Sequence, residues 1–310
     1  MKILRDLDNL PDEFLNGAIS IGNFDGVHRG HARIVQTLKQ FAQRANGPSI
    51  VFTFDPHPVR LLRPEAAPAP LTWTERKAEL LGELGIDAMV AYPTDQNLLA
   101  LTPDQFFDQI IVQQLAASAM VEGPNFFFGR NRAGDIETLR GLCELKEIDL
   151  EIVRPLIDDN EFVSSSRVRQ LIAAGKVGEA REFLTRPYRI RGMVVHGARR
   201  GNQIGFPTAN LDAIDTLLPG PGVYAGRAHK GSQSYRAAIN IGPNPTFGED
   251  HLKVEVHLIG FSETLYGEPL EVDFLARLRD IHPFESVDAL KQQLAIDVEQ
   301  ARQIADRSQE

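Results

Sequence analysis

The sequence predicts an α/β domain with a parallel sheet, followed by a small antiparallel β-barrel that ends in a helix. In residues 1–185, short apolar runs alternate with amphipathic stretches, which is typical of helices that connect parallel strands. From residue 186 onward, short strand-like runs are separated by turns rich in glycine and proline, a pattern that favours a small barrel. Residues 286–304 then carry the apolar spacing of a helix.

The individual elements follow from the spacing of apolar residues. Pro187 comes after a helical segment and ends it, so we predict two domains, 1–185 and 186–310. The segment RPEAAPAP at 63–70 is predicted as a stiff surface loop. The predicted strands are 18–21, 49–54, 87–92, 119–122, 188–196, 222–229, 233–241, 253–258 and 270–278, and the predicted helices are 31–44, 74–84, 103–115, 168–174 and 286–304.

Composition excludes several classes of protein. With 310 residues, 43% hydrophobic and 24% charged, the chain is long enough for two packed domains and is neither disordered nor fibrous. Its net charge of −9 provides no basic face for nucleic acid or an anionic membrane. A lone Cys143 allows no intramolecular disulfide and lacks partners for a zinc site. We expect a cytoplasmic protein without signal peptide or membrane span.

The segment GNFDGVHRGH at 22–31 directly follows the first predicted strand and opens the first helix. Its glycines let the backbone approach a ligand, and a helix N-terminus offers N–H groups to phosphate. His28 and His31 lie three residues apart and therefore share a face of the first helical turn. An isolated pair of this kind is usually structural, but the strand, glycines and helix around it favour a phosphate site.

Two further segments of the first domain suit the same ligand. VSSSRVR at 163–169 precedes a predicted helix, where the serines cap the helix and Arg167 and Arg169 offer guanidinium groups to polyphosphate. Taken alone, such a segment is more often an ordinary helix cap with exposed arginines. At the ends of two strands, Phe54 and Phe128 are candidates to stack on a planar ring, although aromatic residues there are more often core.

The second domain contains its own phosphate-binding candidate, GNQIGFPTAN at 201–210. Thr208 and Asn210 supply a hydroxyl and an amide carbonyl, hard oxygen ligands that suit Mg²⁺ beside nucleotide phosphates. Gly201 and Gly205 keep the facing loop thin. The alternative interpretation is a simple turn that closes a strand.

Glu255 lies on a predicted strand, between two valines. Alternation places it on the face opposite those valines. If that face is the barrel interior, the carboxylate needs a function there, for example as a base that accepts a hydroxyl proton. If the face is exposed, Glu255 is an ordinary surface residue, and the sequence alone leaves both alternatives open.

In their order along the chain, these segments resemble the bacterial bifunctional riboflavin kinase/FAD synthetase (FMN adenylyltransferase) family, over about residues 18–305. GNFDGVHRGH, FTFDPHP, NFFFGRNRAGD and SSSRVR are similar to its adenylyltransferase module, and GFPTANL, GVYAG, NPTF, VEVHLIGF and LYG to its kinase module. The resemblance implies a Rossmann-like nucleotidyltransferase domain followed by a six-stranded flavokinase barrel with a C-terminal helix.

The resemblance also implies two reactions. The second domain would transfer the γ-phosphoryl group of MgATP to riboflavin, giving FMN, and the first would attach AMP from a second ATP to FMN, giving FAD and pyrophosphate. Glu255 matches the family's catalytic base, and His28 and His31 match the histidines of its adenylyltransferase signature. Thr208 and Asn210 match the magnesium ligands, and the remaining nucleotide- or flavin-binding positions are Asn23, Asp25, Phe54, His57, Asn125, Phe128, Ser164, Ser165, Arg167, Arg169, Gly201, Gly205, Pro207 and Arg279.

Four positions depart from the family pattern. Ser166 stands where threonine is common and Asn125 where aspartate is common, and both changes are chemically mild. Asn202 stands where arginine is frequent, and the segment GPNP at 242–245 replaces a Gly-Thr-Arg-Pro form. These two remove basic side chains, so they bear on affinity more than on reaction type.

Three alternatives stay open at this point. The first domain could be a regulatory module that binds nucleotide without chemistry, in which case FMN accumulates. The whole chain could be a flavin carrier, although a carrier would not need magnesium ligands or a buried glutamate. The N-terminal domain could serve another acceptor, since domains with similar histidine motifs also act in phosphopantetheine and glycerol-phosphate transfer.

Overall fold

The chain divides into two units at the bond between Ser164 and Ser165 in the computed structural model, which describes residues 1–8, 10–158, 161–197, 200–244 and 249–308. Unit 1 comprises Met1–Pro68 and Trp73–Ser164, and unit 2 comprises Ala69–Thr72 and Ser165–Glu310. The helices between residues 165 and 183 therefore pack with the C-terminal unit. Within the described residues, no helix has the length and apolar character needed to cross a membrane.

Unit 1 contains a six-stranded sheet in which every pair of neighbours is parallel, which confirms the predicted parallel sheet, although its two outer strands, Lys2–Leu4 and Asp149–Ile152, were not predicted. The order is β1-β4-β3-β2-β5-β6, so the chain moves outward from β2 on one side and continues at β5 on the other. Ligands of such sheets bind at this reversal, beyond the carboxyl ends of the strands. The strands are β1 Lys2–Leu4, β2 Ala18–Ile21, β3 Ser49–Asp55, β4 Ala88–Pro93, β5 Ala119–Glu122 and β6 Asp149–Ile152, with a separate hairpin of β7 Ile157–Asp158 and β8 Glu161–Phe162.

Helices cover both faces of this sheet and produce two apolar cores. Helix α1, Arg29–Arg44, buries Val35, Leu38 and Ala42, whose spacing places them on one stripe. The predicted helix at 103–115 begins with a capping box between Thr102 and Gln105 and continues as a π-helix, Phe107–Gln114. The α-helices after α1 are α2 Pro58–Leu62, α3 Thr74–Glu83, α4 Gln96–Ala100, α5 Pro103–Phe106 and α6 Ile136–Leu145.

Unit 2 is a closed antiparallel barrel of six strands in the order β10-β13-β12-β11-β14-β9, which confirms the predicted barrel. Closure removes the open sheet edges on which other chains could pair. Strand β10 was not among the predicted strands, because its four residues follow a proline-containing turn and carry only a short apolar pattern. The strands are β9 Tyr188–Val195, β10 Ala209–Asp212, β11 Gly222–Lys230, β12 Gln233–Asn244, β13 Glu249–Leu258 and β14 Pro269–Arg279.

Three longer helices complete unit 2, along with the short α9, Arg200–Gln203. Helix α7, Ser165–Ala173, adds Val168, Leu171 and Ile172 to the apolar core of the barrel, and helix α8, Val177–Phe183, adds Val177 and Ala180. Helix α10, Val287–Arg307, is capped by the Ser286 side chain and packs on β11, β12 and β14. The barrel interior is therefore sealed by apolar packing, and polar chemistry is left to its outer face and its loops.

A buried ion pair fastens α10 to the barrel. Asp297 is 1% exposed and accepts hydrogen bonds from Nε and Nη2 of Arg279 on β14, at 3.1 and 2.7 Å. Gln293 donates a third hydrogen bond to the same carboxylate, at 2.9 Å. The sequence predicted Arg279 as a flavin-loop arginine, and here its guanidinium serves a structural contact.

We expect Asp297→Ala to lower the free energy of unfolding of unit 2 by about 3 kcal/mol, because removing one partner leaves a partly buried guanidinium unpaired. Hydrogen exchange of the amides of β11 and β14 would measure the loss. Glu299→Ala is the matched control: it removes an exposed pair with Arg302 on the same helix and should leave exchange nearly unchanged. Equal exchange in the two variants would contradict the anchoring role.

Candidate active sites

The first candidate site lies where β2 ends and α1 begins, at the reversal of strand order in unit 1. The connecting loop, 22–28, places Phe24, Gly26 and Val27 at positive φ, with Val27 fully buried at φ 39°. A β-branched residue in this conformation is a strained outlier that surrounding structure must hold in place. The loop is therefore a rigid cradle that ends at the helix N-terminus, where backbone N–H groups favour anions.

The two histidines predicted from the motif are stacked in this cradle. Their ring centroids lie 3.6 Å apart with an interplanar angle of 15°. His28 is the N-cap of α1, and its Nδ1 accepts the backbone N–H of His31 at 3.2 Å. Because Nδ1 accepts, the neutral ring of His28 carries its proton on Nε2, as a hydrogen-bond donor.

Burial keeps both rings uncharged at neutral pH. Desolvation lowers the pKa of His28 to about 4, although the nearby carboxylate of Asp25 raises it in part. Desolvation also lowers the pKa of His31 well below its ordinary value, and the charges of His28 and Lys77 lower it further. Two neutral imidazoles can donate hydrogen bonds to phosphate oxygens without repelling one another.

The space around Gly30 explains why the motif has a glycine between the two histidines. A Cβ on Gly30 would lie 3.0 Å from ring atoms of His28 and 3.2 Å from the carbonyl oxygen of Val163. These contacts are tighter than ordinary van der Waals packing allows. The glycine therefore lets the first turn of α1 close against the imidazole that caps it.

Other predicted residues of this unit lie around the strand ends. Asn23 is exposed in the loop and Asp25 is 7% exposed. His57 caps α2 by accepting the backbone N–H of Val59 at 3.1 Å. Phe54 is half-buried, with its edge against the core ring of Phe52 at 5.4 Å.

The aromatic segment after β5 divides into buried and exposed rings. Phe128 is 6% exposed and stacks on Phe126, at 5.4 Å between centroids. Phe127 is 46% exposed, with the guanidinium of Arg132 over its ring at 4.6 Å. Asn125, two residues earlier, is exposed. Phe128 thus belongs to the core in this structure, and its contact with a flavin stays a prediction.

The SSSRVR segment spans the division between the units. Ser164 is the last residue of unit 1, and Ser165 begins helix α7 and the longer segment of unit 2. The Nε of Arg169 donates to the carbonyl oxygen of Ala69 at 3.0 Å, and Arg167 is half-buried on the same first turns. The joint action of these arginines and the histidine pair on one triphosphate stays a prediction.

A second candidate site is a cleft of about 620 Å³ in unit 2. Its wall combines the mouth of the barrel with two loops. Of the residues predicted in the segment 201–210, all except Gly205 line the cleft. In α9, a Cβ on Gly201 would collide with the carbonyl oxygen of Phe206, while Gly205 needs its φ of 90°. The lining includes Gly201, Asn202, Pro207, Thr208 and Asn210 from the first loop and β10, and 261–266 from the facing loop.

Glu255 lies beside this cleft, on the outer face of the barrel. Val254 and Val256 are 4% and 0% exposed, so alternation turns Glu255 outward, and the interior alternative is wrong. In the sheet register Glu255 pairs with Asn210 on one side and Asn240 on the other. The Nδ2 of Asn240 donates to Glu255 Oε2 at 3.4 Å. The carboxylate thus stands in a polar row with a predicted magnesium ligand.

The segments GPNP and NPTF lie partly outside the described residues, and one buried lysine was not predicted. The predicted departure GPNP ends at Pro245, and NPTF covers 244–247; positions 245–247 lie outside the described residues. Sequence reasoning missed Lys77, a lysine that is 9% exposed near His31. Its position four residues before the buried Leu81, on the apolar face of α3, was the signal that could have revealed it.

Comparison with known proteins identifies both units. Residues 11–167 match the family model for FAD synthetase, and residues 184–305 match the model for riboflavin kinase. A curated bifunctional riboflavin kinase/FMN adenylyltransferase from Pseudomonas fluorescens is 37% identical over 98% of each chain. The Escherichia coli K12 protein of the same description is 34% identical, over 98% of this chain and 97% of that one.

A solved structure has the same fold over the full length. A chain from Streptococcus pneumoniae, described as a macrolide-efflux protein, superposes with a TM-score of 0.85 at 30% identity, covering 97% of this chain and 98% of that chain. The two chains therefore share the same fold. Taken with the two family models and the curated relatives, this places the chain in the family of bifunctional riboflavin kinase/FMN adenylyltransferases, enzymes of flavin nucleotide synthesis.

Proposed function

We propose that unit 2 phosphorylates riboflavin with ATP to give FMN, and that unit 1 adenylylates FMN with a second ATP to give FAD and pyrophosphate. The observation that carries this assignment is the stacked pair of His28 and His31 at the N-terminus of α1. It lies in a different unit from Thr208, Asn210 and Glu255. Each reaction therefore has its own set of residues.

In adenylyl transfer, a phosphate oxygen of FMN attacks the α-phosphorus of ATP, and the bond from that phosphorus to the oxygen of the departing pyrophosphate breaks. Both partners are anions, so the site must align them and stabilise negative charge. The Nε2–H of His28 and the N-terminus of α1 donate hydrogen bonds to the phosphate oxygens. No nucleophilic side chain is needed, because the acceptor phosphate is itself the nucleophile.

In the kinase reaction, the ribityl hydroxyl of riboflavin attacks the γ-phosphorus of ATP, ADP leaves, and the hydroxyl proton must be removed. Glu255 accepts that proton, held in place by its hydrogen bond from Asn240. The outward face of β13 allows substrate to reach the carboxylate, which an interior position would not.

The residues present fit a magnesium ion shared with nucleotide phosphates. Thr208 and Asn210 offer two neutral oxygens at the wall of the cleft, and Mg²⁺ typically takes one or two protein ligands together with phosphate and water. Among the described residues, no group of three or more His, Cys, Asp or Glu side chains forms a protein cage for a metal. When bound, Mg²⁺ neutralises charge on the phosphates.

Two further predictions concern the boundary between the two activities and the location of the protein in the cell. The division of the activities near residue 185 is supported by the second family model, which begins at residue 184. The packing of residues 165–183 with unit 2 supports a break at Ser164 instead, and separate expression of the C-terminal part from each position would distinguish the two. A cytoplasmic location stays a prediction, supported by the use of ATP as substrate.

We expect His31→Ala to block formation of FAD while FMN still accumulates, and Glu255→Gln to stop formation of FMN while added FMN is still converted to FAD. The reason is that the two sites belong to separate units. A product time course with riboflavin, ATP and magnesium measures both steps, and each variant serves as the folding control for the other. Loss of both steps in either folded variant would contradict the assignment.

We also expect Thr208→Val to lower kcat/KM of the kinase step by about 100-fold, because it removes a hydroxyl ligand without changing side-chain shape. Thr208→Ser restores the hydroxyl and should recover most of the activity. The rate measured against magnesium concentration should shift to higher concentrations in the valine variant only. An unchanged magnesium dependence would exclude Thr208 as a ligand.

A further inference from the structure

Lys77 is a buried cation in the interior of unit 1. It belongs to helix α3, and only 9% of it is exposed to solvent. Its ammonium donates a hydrogen bond to the hydroxyl of Thr53, at 3.2 Å. Within the part of the chain that the structure describes, no carboxylate lies within ion-pair distance of Lys77. Lysines are rarely buried in proteins without such a partner, because taking the charge out of water is costly.

The hydrogen bonding of Thr53 fixes the direction of this contact. The hydroxyl donates to the carbonyl oxygen of Asn23 at 3.3 Å, so it accepts from Lys77. Thr53 is itself 1% exposed and belongs to β3. The ammonium is therefore connected through one hydroxyl to the loop that precedes His28, and two of its three N–H groups are not used by that contact.

A second polar group nearby also lacks a partner. The Nδ1 of His31 is buried and has no hydrogen-bond partner among the described residues. Lys77 is close enough to His31 to lower the pKa of its imidazole. Asp25 and Asp55 are the carboxylates whose charges act on Lys77, and burial lowers its pKa more than these charges raise it.

The carboxylate of Asp55 has other partners. It accepts a hydrogen bond from the Thr74 hydroxyl at 2.8 Å, and Arg5 lies 3.7 Å away. Lys77 therefore lies near two neutral imidazoles, a helix N-terminus and the carboxylate of Asp25, whose charge acts on it. The ammonium and the helix N-terminus both favour an anion, and none of the described acidic side chains lies within ion-pair distance of the ammonium.

We propose that Lys77 is a third phosphate-binding residue of the adenylyl-transfer site, whose ammonium contacts the anionic phosphoryl group held by the histidine pair. This inference rests on the proposed activity of unit 1. A fixed cation suits this reaction, because an anionic nucleophile attacks an anionic centre and no proton has to be removed. The anion is either the α-phosphate of ATP or the phosphate of FMN.

The test is Lys77→Met in the full-length protein, with FMN and ATP supplied directly. We expect kcat/KM for FAD formation to fall by about 100-fold, as when one charge-stabilising donor is removed from an active site. Phosphorylation of riboflavin should be unchanged. A rise in the KM for ATP alone assigns the contact to the α-phosphate, and a rise in the KM for FMN alone assigns it to the FMN phosphate.

Lys39→Met is the matched control. Lys39 is a half-buried lysine of the same unit, and its ammonium donates to the carbonyl oxygen of Leu84 at 3.0 Å. It should keep the wild-type rate of FAD formation. Wild-type protein that forms no FAD would defeat the proposed function, whereas active wild type and equally active Lys77→Met would overturn the inference alone.

Thermal unfolding distinguishes a binding role from a structural one. If Lys77 binds an anion and does not stabilise the fold, the methionine variant removes a costly buried charge, and its melting temperature should equal or exceed that of the wild type. If the lysine merely supports the fold, stability and activity should fall together, and that result would overturn the proposal. Lys77→Arg supplies a second variant: it keeps the charge and should retain more FAD formation than methionine does.

Discussion

Groups that favour an anionic ligand lie near one another at the end of strand β2 in unit 1: the N-terminus of α1, the donor nitrogen of His28 and the ammonium of Lys77. The buried carboxylate of Asp25 is the negative charge beside them. Burial makes the arrangement more demanding, since water cannot screen the charge. The strained loop at 22–28 leads directly into the cap of α1, and the absence of a side chain at Gly30 lets the backbone lie close to the ring of His28.

Unit 2 handles phosphate by different means. Its candidate residues are oxygen ligands, Thr208 and Asn210, in place of imidazoles, and they line a cleft between loops at the barrel mouth. The proposed magnesium ion, held by these oxygens, would neutralise charge on the phosphates, as the proposed contact of the Lys77 ammonium would in unit 1. The two units also differ in their need for a base. The hydroxyl acceptor of the kinase reaction must lose a proton, which is the role proposed for Glu255, whereas the phosphate acceptor of the adenylyl transfer has no proton to lose.

Local pattern predicted much of this arrangement. Apolar runs predicted four of the six strands of the parallel sheet and five of the six barrel strands, and the histidine motif predicted a phosphate-binding candidate at the start of the first helix. Long-range packing decided the rest. Helices α7 and α8 precede the predicted boundary at residue 185 but complete the apolar core of unit 2. Lys77 comes from α3, far in sequence from the motif that it adjoins. Neither the packing of these two helices nor the place of Lys77 beside the histidine motif can be predicted from the pattern of a single segment.

The position of Glu255 shows how apolar packing and chemistry depend on the same register. Alternation alone gave two faces for β13 but not which face was inside. The barrel interior is filled by side chains such as Val254, Val256 and Ile239. The opposite face of β13, which carries Glu255, must therefore be outside. That outer face then aligns Glu255 with Asn210 and Asn240 across three strands. A shift of one residue would bury the carboxylate and expose the valines, so the packing that keeps the core dry also holds the polar row in place.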